Sequence, residues 1–175
     1  LDDPGDWERA TRGKIAEHPT GAIAGPLGGI AWNTAEFDFM REQEQSPDSV
    51  HPSLWRHGRL NAVHGLFEVA PGVWQCRGYD LSNITYIKGK NGWIVIDPLT
   101  TAVTAAACLE LANQHLGARP VTAVLYTHSH ADHYGGILGV TTREDVEAGN
   151  VRILAPEGFL REAVSENLLA GPVMN

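Results

Sequence analysis

Two short, almost wholly apolar segments stand out in the second half of the chain, residues 92–98 (GWIVIDP) and 120–127 (PVTAVLYT). Between them, apolar residues recur at the spacing of one helix face: Ala105, Leu109, Ala112 and Leu116. Gly117 follows directly, as glycine commonly does at the end of a helix. A strand that is apolar throughout is typical of a sheet covered on both faces. The order of strand, helix and strand predicts an α/β fold built in layers.

Further strands are predicted on both sides of this unit. Residues 66–76 (LFEVAPGVWQC) predict a hairpin with its turn at Ala-Pro-Gly, and residues 83–89 (NITYIKG) predict the next strand. Residues 151–156 (VRILAP) predict another strand, and residues 157–171 (EGFLREAVSENLLAG) have the pattern of a closing amphipathic helix. These elements extend the layered unit towards both ends of the chain.

The composition and the hydrophobic pattern of the chain are different before residue 66. Residues 6–18 predict a short helix that stops before a proline, whereas residues 19–65 are rich in Gly, Pro and polar side chains without periodicity. Residues 41–50 carry an acidic patch whose composition is compatible with disorder. We therefore expect a lead-in segment over residues 1–65 that wraps a core formed by residues 66–175.

The charge balance narrows the classes of partner. The chain has 13 basic and 21 acidic residues and a net charge of −8, which argues against nucleic acid or an anionic membrane surface as partner. No apolar run approaches the roughly 18 residues of a membrane-spanning helix. The two cysteines, Cys76 and Cys108, are too few for a disulfide framework, and we interpret them as small buried hydrophobic residues.

Potential metal ligands crowd the residues that follow the second apolar strand. The sequence HSHADH places four of them at the carboxyl end of that strand, where open α/β sheets usually carry their sites: His128, His130, Asp132 and His133. In extended chain the first two histidines project to one side and the last two groups project differently, which suggests two ligand pairs for two neighbouring ions. Imidazole and carboxylate without thiolate suit Zn²⁺ or a similar ion in a catalytic site. The alternative is a polar turn of hydrogen-bonded histidines.

Asp97 ends the first apolar strand and is the next candidate. A carboxylate there can accept the outer N–H of a ligating histidine and so fix its tautomer and orientation. We favour this role over the alternative, an ordinary loop or capping aspartate before Pro98. After the cluster, the pair Gly135-Gly136 predicts the opening of another helix.

The cluster and its surroundings resemble a known superfamily. THSHADH after an apolar strand, with GWIVIDP upstream, resembles the metallo-β-lactamase superfamily. Within that superfamily, the sequence on both sides of the cluster resembles the alkyl sulfatases, the linear alkylsulfohydrolases that hydrolyse dodecyl sulfate and similar esters. The matching blocks cover almost the whole chain: HPSLWRHGRLNAVHGLFEV, VWQCRGYDLSNITYIKG, GWIVIDPLT, LGARPVTAVLYTHSHADHYGG and ILAPEGFLREAVSENLLAG. His51 stands where that pattern has Asn, a difference that touches no catalytic position.

The resemblance implies an α/β fold of the αββα metallo-β-lactamase type, of which this chain carries only the amino-terminal half. It also implies a binuclear zinc site with a bridging hydroxide. His128 and His130 then bind the first ion, and Asp132 and His133 bind the second. Asp132 is also the candidate catalytic residue. Asn83 is a candidate substrate contact, with a hydrogen bond at the start of a strand as the alternative.

The ligand count falls short of a complete zinc site. Zinc takes about four ligands per ion, and the motif supplies two apiece. Other side chains are interpreted as solvated, capping or helix-end groups: His18, His51, His57, His64, His115, Arg161, Glu162 and Glu166. The family draws its remaining ligands from further sequence, so we expect the rest of the enzyme, as a continuation or a second chain, to complete the site. The complete enzyme is expected to be a homodimer.

The function that the resemblance implies is zinc-dependent hydrolysis of an alkyl sulfate ester to an alcohol and inorganic sulfate. A first alternative is another hydrolase of the superfamily, such as a lactonase, thioesterase or β-lactamase. A second alternative, from a different class, is a non-catalytic half-domain that binds metal and pairs with another chain. Assays on dodecyl sulfate, a lactone, a thioester and a β-lactam separate these possibilities.

Overall fold

A computed structural model describes residue 3 and residues 5–171, and a seven-stranded sheet runs through its centre. The strands in chain order are β1 (Lys14–Ala16), β2 (Ala22–Ala24), β3 (Ile30–Asn33), β4 (Gly65–Ala70), β5 (Val73–Arg77), β6 (Ile84–Lys88), β7 (Trp93–Ile96), β8 (Val121–Leu125) and β9 (Arg152–Leu154). The sheet has the order β1-β4-β5-β6-β7-β8-β9, and β2 and β3 pair as a separate hairpin. The strands predicted from the sequence are thereby confirmed.

Helices connect or flank these strands: α1 (Gly5–Thr11), α2 (Asp38–Glu42), α3 (Pro52–Asn61), α4 (Ala102–Leu116), α5 (Arg143–Glu147) and α6 (Phe159–Leu169). The predicted helix between the two apolar strands is α4. The Thr101 side chain caps it by accepting from the backbone N–H of Thr104, and Gly117, with φ of 89°, ends it. None of the helices in the described part of the chain is long and apolar enough to cross a membrane.

The carboxyl ends of β7, β8 and β9 meet at one edge of the sheet. These three strands are parallel to one another, whereas β1 and β4 to β7 pair antiparallel. The α4 crossover returns the chain from the end of β7 to the start of β8. Asp97 and His128 therefore leave the sheet at the same edge, which is the edge that sites in α/β sheets use.

One face of the sheet is closed by α4. The buried residues that form this layer are Trp93, Val95, Ala105, Cys108, Leu111, Ala112 and Val124. Cys76 and Cys108 are both buried and free, as expected for small core residues. The expectation that β7 is covered on both faces is wrong within the described residues, because Ile94 and Ile96 on its second face remain half-buried.

The lead-in is part of the same architecture. Its strand β1 pairs with β4 and so extends the sheet, α1 and α2 pack on α3, and the β2–β3 hairpin lies against α4. The helix predicted for residues 6–18 is too long, because Gly13 adopts φ of 74° and the chain then enters β1. Residues 41–50 are tied to α3, since Trp55 Nε1 donates to the carbonyl of Gln43. The division at residue 65 stays a prediction.

The segment after the histidine cluster is not a helix. Short 3₁₀ turns occupy Ala131–His133 and Ile137–Gly139, and α5 begins only at Arg143. The reason is close packing: the Gly136 N–H donates to the Leu99 carbonyl at 2.8 Å. Tyr134 and Gly136, with φ/ψ of −138°/−18° and −85°/9°, do not have α-helical backbone angles, so the single 3₁₀ turn Ile137–Gly139 replaces the helix predicted to open at Gly135-Gly136.

Substitution of Gly136 by alanine is expected to destabilise the chain. A Cβ at this position would lie 2.1 Å from the carbonyl oxygen of Pro98 and 2.6 Å from that of Thr101, and backbone atoms cannot move aside cheaply. We expect a loss of about 1–3 kcal/mol in the free energy of unfolding, measured by urea denaturation. Gly29→Ala is the matched control, because a Cβ added there would meet nothing within 4 Å. Equal midpoints for the two variants would contradict the packing described.

Candidate metal centre

The candidate ligands lie on the loop that follows β8. Strand-like pairing continues one residue beyond β8, since the Tyr126 N–H donates to the Leu154 carbonyl at 2.9 Å. The chain then turns through the 3₁₀ turn Ala131–His133, in which the His133 N–H donates to the His130 carbonyl at 3.0 Å. This turn folds the end of the motif back towards its beginning, so the imidazoles gather.

The three imidazoles form one cluster with His128 in the middle. Its ring centroid lies 4.0 Å from that of His133 and 4.5 Å from that of His130. Asp132 joins the cluster through His133, whose Nε2 lies 3.3 Å from Asp132 Oδ2. His128 and His130 are in contact, as are Asp132 and His133, and the 3₁₀ turn also brings His133 against His128; the assignment of the two pairs to two ions stays a prediction.

Asp97 is buried and binds the base of this loop. Its Oδ1 accepts from the Thr127 N–H at 2.8 Å, and its Oδ2 accepts from the Thr127 hydroxyl at 2.7 Å. The same Oδ2 lies 2.9 Å from His133 Nδ1. One carboxylate therefore holds both the start and the end of the candidate ligand loop, which is the geometry that a histidine-orienting residue requires.

These contacts determine which ring nitrogens are available. A carboxylate only accepts, so His133 Nδ1 carries a proton; the neutral ring then has its lone pair on Nε2, the nitrogen that lies 3.3 Å from Asp132 Oδ2. The Thr127 hydroxyl gives its proton to Asp97, so at its 2.9 Å contact with His128 Nδ1 it accepts from the ring. His128 Nε2 therefore also has its lone pair. Both rings are held in the tautomer that a metal ion needs.

Replacement of Asp97 by asparagine is expected to weaken metal binding about 10- to 100-fold. An amide cannot satisfy all three donors, because its NH₂ group must face either the Thr127 N–H or the pair formed by the Thr127 hydroxyl and His133. Competition titration with a zinc chelator measures the affinity. The control is Asp145→Asn, at a partly buried carboxylate that accepts from the Thr142 hydroxyl at the start of α5, outside the loop. An effect of Asp97→Asn below twofold would make it an ordinary loop residue.

The backbone beneath the loop is strained. Asp97 and Leu99 have φ of 54° and 63°, in the left-handed region that side chains other than glycine rarely adopt. Such residues cost of the order of 1–3 kcal/mol each and persist where the surroundings over-determine them. Here the Asp97 N–H donates to the Leu125 carbonyl at 3.0 Å and the Leu99 carbonyl accepts from Gly136. This backbone conformation directs the Asp97 carboxylate towards His133. A strained residue in such a position indicates a functional site.

Two supporting residues were missed in the sequence: Ser82, which contacts the loop, and Asp80, which contacts the start of α4. The buried Ser82 hydroxyl donates to the backbone carbonyl of Asp132, across 50 positions of sequence. Asp80, also buried, accepts from Thr100 and from the hydroxyl of Thr104 at the start of α4. The sequence shows three polar residues just before β6, namely Asp80, Ser82 and Asn83. No local feature indicates which distant segments they contact.

Glu166 on α6 was interpreted as solvated and instead reaches the cluster. Its Oε1 lies 3.3 Å from His130 Nε2. The helix is brought there by an aromatic contact, in which Phe159 stacks on Tyr126 with ring centroids 5.2 Å apart. Burial raises the pKa of Tyr126 to about 12, so this phenol stays neutral near pH 7. The spacing of Glu162 and Glu166 could not reveal this contact, because it depends on how α6 docks.

The donor groups fit zinc in their chemistry, although their side chains do not converge on one point. Among residue 3 and residues 5–171, no three His, Cys, Asp or Glu side chains meet in an arrangement that could hold a metal ion. The loop nevertheless carries three imidazoles and one carboxylate, which are groups that zinc binds. In two of these rings, when neutral, the lone pair is on Nε2. The His130 side chain is 59% exposed, and its Nε2 lies 3.3 Å from Glu166 Oε1.

The remaining candidates are dispersed. Asn83 is exposed at the start of β6. His51 caps α3 by accepting from the Ser53 N–H, as its capping interpretation proposed. His64 is buried against Tyr79, so it is not solvated, and its Nδ1 lies 3.1 Å from the carbonyl of Ala62, the C-cap residue of α3, which fits the capping alternative. His18 follows β1 rather than a helix, and its N–H donates to the Tyr79 hydroxyl.

The last of these groups behave as expected. His115 lies in the last turn of α4. Arg161 and Glu162 form an exposed ion pair with each other on α6, away from any buried site. His57 lies on α3. None of these positions brings a further ligand to the candidate loop within the contacts described.

Known proteins resemble this chain over its whole length. It is 47% identical to a linear primary-alkylsulfatase from Pseudomonas sp, over 100% of this chain and 26% of that protein. It is 46% identical to the alkyl/aryl-sulfatase BDS1 of Saccharomyces cerevisiae, over 97% of this chain and 26% of that protein. The solved structure of the stereoselective inverting sec-alkylsulfatase Pisa1 from Pseudomonas sp. matches with a TM-score of 0.91 and 45% identity, over 99% of this chain and 27% of that one.

Two facts bound what these similarities mean. The chain spans about a quarter of the length of the relatives it matches. The profile of the family described as the Metallo-beta-lactamase superfamily matches residues 77–172, more than half of the chain, and includes the histidine cluster and Asp97. The mixed sheet with its α4 crossover has the α/β architecture of that fold. The chain belongs to the metallo-β-lactamase superfamily.

Proposed function

We propose that the chain carries the metal-binding loop of a zinc-dependent alkyl sulfatase, which hydrolyses an alkyl sulfate ester to an alcohol and inorganic sulfate. The relatives at 45–47% identity carry alkylsulfatase names, and this supports the substrate class. The observation that carries the proposal is the Asp97 carboxylate at 2.9 Å from His133 Nδ1. This contact leaves the lone pair of the neutral His133 ring on Nε2, within a cluster of groups that can bind a metal ion. A polar turn without a metal ion would not require that arrangement.

The roles of the residues follow from their contacts. Asp97 and Thr127 hold His128 and His133 with their Nε2 atoms available for an ion, and Asp132 adds a carboxylate. His130 is the fourth proposed ligand. Two zinc ions, when bound, would supply a hydroxide nucleophile at neutral pH and offset charge on the sulfate group. Asn83, exposed beside the buried Ser82, is proposed to donate from its amide to a sulfate oxygen.

We further propose that the site is completed from outside these residues. Zinc takes about four ligands per ion, and the loop offers four groups for two ions. The surface near the loop is also open: three apolar side chains of α6 at helical spacing, Leu160, Val164 and Leu168, are 74%, 49% and 71% exposed. An apolar stripe of this kind marks a face made to be covered. The partner is the rest of the enzyme, and the complete enzyme is proposed to be a homodimer.

The experiment that tests the proposal is a substrate panel on the full-length protein. Release of inorganic sulfate from dodecyl sulfate is expected, with loss on zinc chelation and recovery on adding zinc back. Hydrolysis of a lactone, thioester or β-lactam without sulfate release would assign the chain to another activity of its superfamily. Zinc binding with no hydrolysis of any of the four would favour a non-catalytic metal-binding half-domain.

A further inference from the structure

The backbone carbonyl of Asp132, within the 3₁₀ turn of the candidate metal loop, does not receive the hydrogen bond of an α-helix. In an α-helix it would accept from the N–H of Gly136, four residues further on. That N–H donates instead to the Leu99 carbonyl at 2.8 Å. Among the contacts of residue 3 and residues 5–171, the donor to the Asp132 carbonyl is the Ser82 hydroxyl. A side chain from the connection between β5 and β6 therefore replaces the helical backbone donor.

The Ser82 hydrogen bond holds the peptide unit that joins Asp132 to His133. Ser82 is 8% exposed, so water does not readily take the place of its hydroxyl. The 3₁₀ turn has no side-chain cap at its start, His130, which makes Ser82 a side-chain support of this turn from outside the loop. Because both Asp132 and His133 are attached to the supported peptide, the direction of their side chains depends on the Ser82 hydroxyl.

Asp80 fixes the connection that carries Ser82. Its Oδ1 accepts from the Leu81 N–H at 2.7 Å and from the Thr100 hydroxyl. Its Oδ2 accepts from the Thr100 N–H at 3.2 Å and from the hydroxyl of Thr104 in the first turn of α4. A buried carboxylate with four donors is satisfied in one orientation of the connection, so Asp80 holds Ser82 at a defined place beside the loop.

The lead-in fixes the other end of the same connection. Trp32 Nε1 donates to the Gly78 carbonyl at 2.8 Å, and the Tyr79 hydroxyl accepts from the His18 N–H at 2.7 Å. Gly78 has φ of 77°, and a Cβ added to it would lie 2.6 Å from the Cβ of His64. The connection is therefore held on both sides of Ser82, which makes it a rigid support and not a mobile loop.

We propose that Ser82, held in place by Asp80, is a positioning residue for Asp132 and sets the affinity of the ion that Asp132 binds. The inference rests on the proposed function, which assigns Asp132 and His133 to one of two zinc ions. The other ion is assigned to His128 and His130, and His128 is held by the Thr127 hydroxyl, which has no contact with Ser82 among those described. Loss of the Ser82 hydroxyl should therefore affect the two ions unequally, whereas a general loss of stability would affect both.

Replacement of Ser82 by alanine in the full-length zinc-loaded protein provides the test. The affinity of the ion at Asp132 should fall about 10- to 100-fold, while that of the other ion should change by less than about twofold. Competition titration with a chromophoric chelator measures the two affinities, and anomalous diffraction at the zinc edge shows which of the two sites is emptied. The matched control is Ser49→Ala, because Ser49 is exposed in the segment between α2 and α3.

Asp80→Asn is the second variant, because it acts on Asp132 only through the connection. An amide at this position turns its NH₂ group towards two of the four donors, so the connection must shift and carry Ser82 with it. The same ion should be weakened preferentially, by about tenfold. Circular dichroism of the apoprotein should show that both variants remain folded. Weakening of the ion at His128 and His130 alone would contradict the proposed connection.

The outcomes separate this inference from the proposed function. Equal weakening of both ions in Ser82→Ala, or unchanged affinity for both, would overturn the positioning role. Sulfate release from dodecyl sulfate is measured in parallel. Selective loss of the ion at Asp132, in a protein whose wild type releases no sulfate, would support the positioning role while the proposed function fails. Sulfate release by the wild type, with both ions retained in Ser82→Ala, would leave the proposed function intact and overturn the inference.

Discussion

Replacement of His133 by alanine is expected to remove most of the bound zinc from the protein. His133 contacts Asp97, Asp132 and the His128 ring at once. Its loss deletes a proposed ligand and leaves the Asp97 carboxylate without one of its three donors. His128→Ala should have a similar effect, because His128 lies in the middle of the cluster. Zinc content after gel filtration, by atomic emission, is the measurement.

The control for these variants is His115→Ala. His115 is exposed in the last turn of α4 and belongs to neither the loop nor its supports. Its variant should keep the zinc content of the wild type, and circular dichroism should show that all three variants remain folded. Unchanged zinc content in both His128→Ala and His133→Ala would mean that the loop residues are not the ligands.

Residues 1–175 expressed alone are expected to hydrolyse dodecyl sulfate at least about 100-fold less efficiently than the full-length protein. The loop provides about half the ligands that two zinc ions take. Displacement of a reacting group by about 1 Å is already enough to lower the rate about 100-fold. The isolated chain should also self-associate through its exposed apolar surfaces on α6 and β9, where Leu168 is 71% and Leu154 is 45% exposed. Adding the remaining segment as a separate polypeptide should restore activity.

Steady-state kinetics and analytical ultracentrifugation check both parts. The double variant Leu160→Glu, Leu168→Glu is informative because both side chains are exposed and their replacement should reduce self-association without restoring activity. A monodisperse monomer with the full catalytic efficiency of the complete protein would contradict the proposal that the site is completed from outside. Glu166, which already lies 3.3 Å from His130, would then be the first residue to examine as a further ligand.

Local patterns predicted the elements whose determinants are local. The β4–β5 hairpin, the strands β6 to β9 and the helices α4 and α6 all follow from apolar periodicity bounded by glycine or proline. A contact between Asp97 and one of the candidate ligand histidines was predicted as well, without saying which; in the structure it is His133. In these cases short-range sequence and a simple topological rule are sufficient.

Other features depend on tertiary contacts that no local pattern encodes. Ser82 supports a carbonyl 50 positions away, and Glu166 reaches His130 only because aromatic packing docks α6 beside the loop. Aspartate tolerates the left-handed region better than most residues, but no local pattern indicated that Asp97 adopts it. The loss of the helix at Gly135-Gly136 has the same origin, since close packing on the 98–101 backbone overrides local preference.

The central claim, that one loop after β8 binds the metal, is tested most directly by anomalous X-ray diffraction at the zinc edge on crystals of the full-length protein. The prediction is zinc density about 2.0–2.2 Å from donor atoms of the four loop residues His128, His130, Asp132 and His133, with Asp97 hydrogen-bonded to His133 behind it. Strong zinc density bound elsewhere, with these four side chains uncoordinated, would contradict the claim.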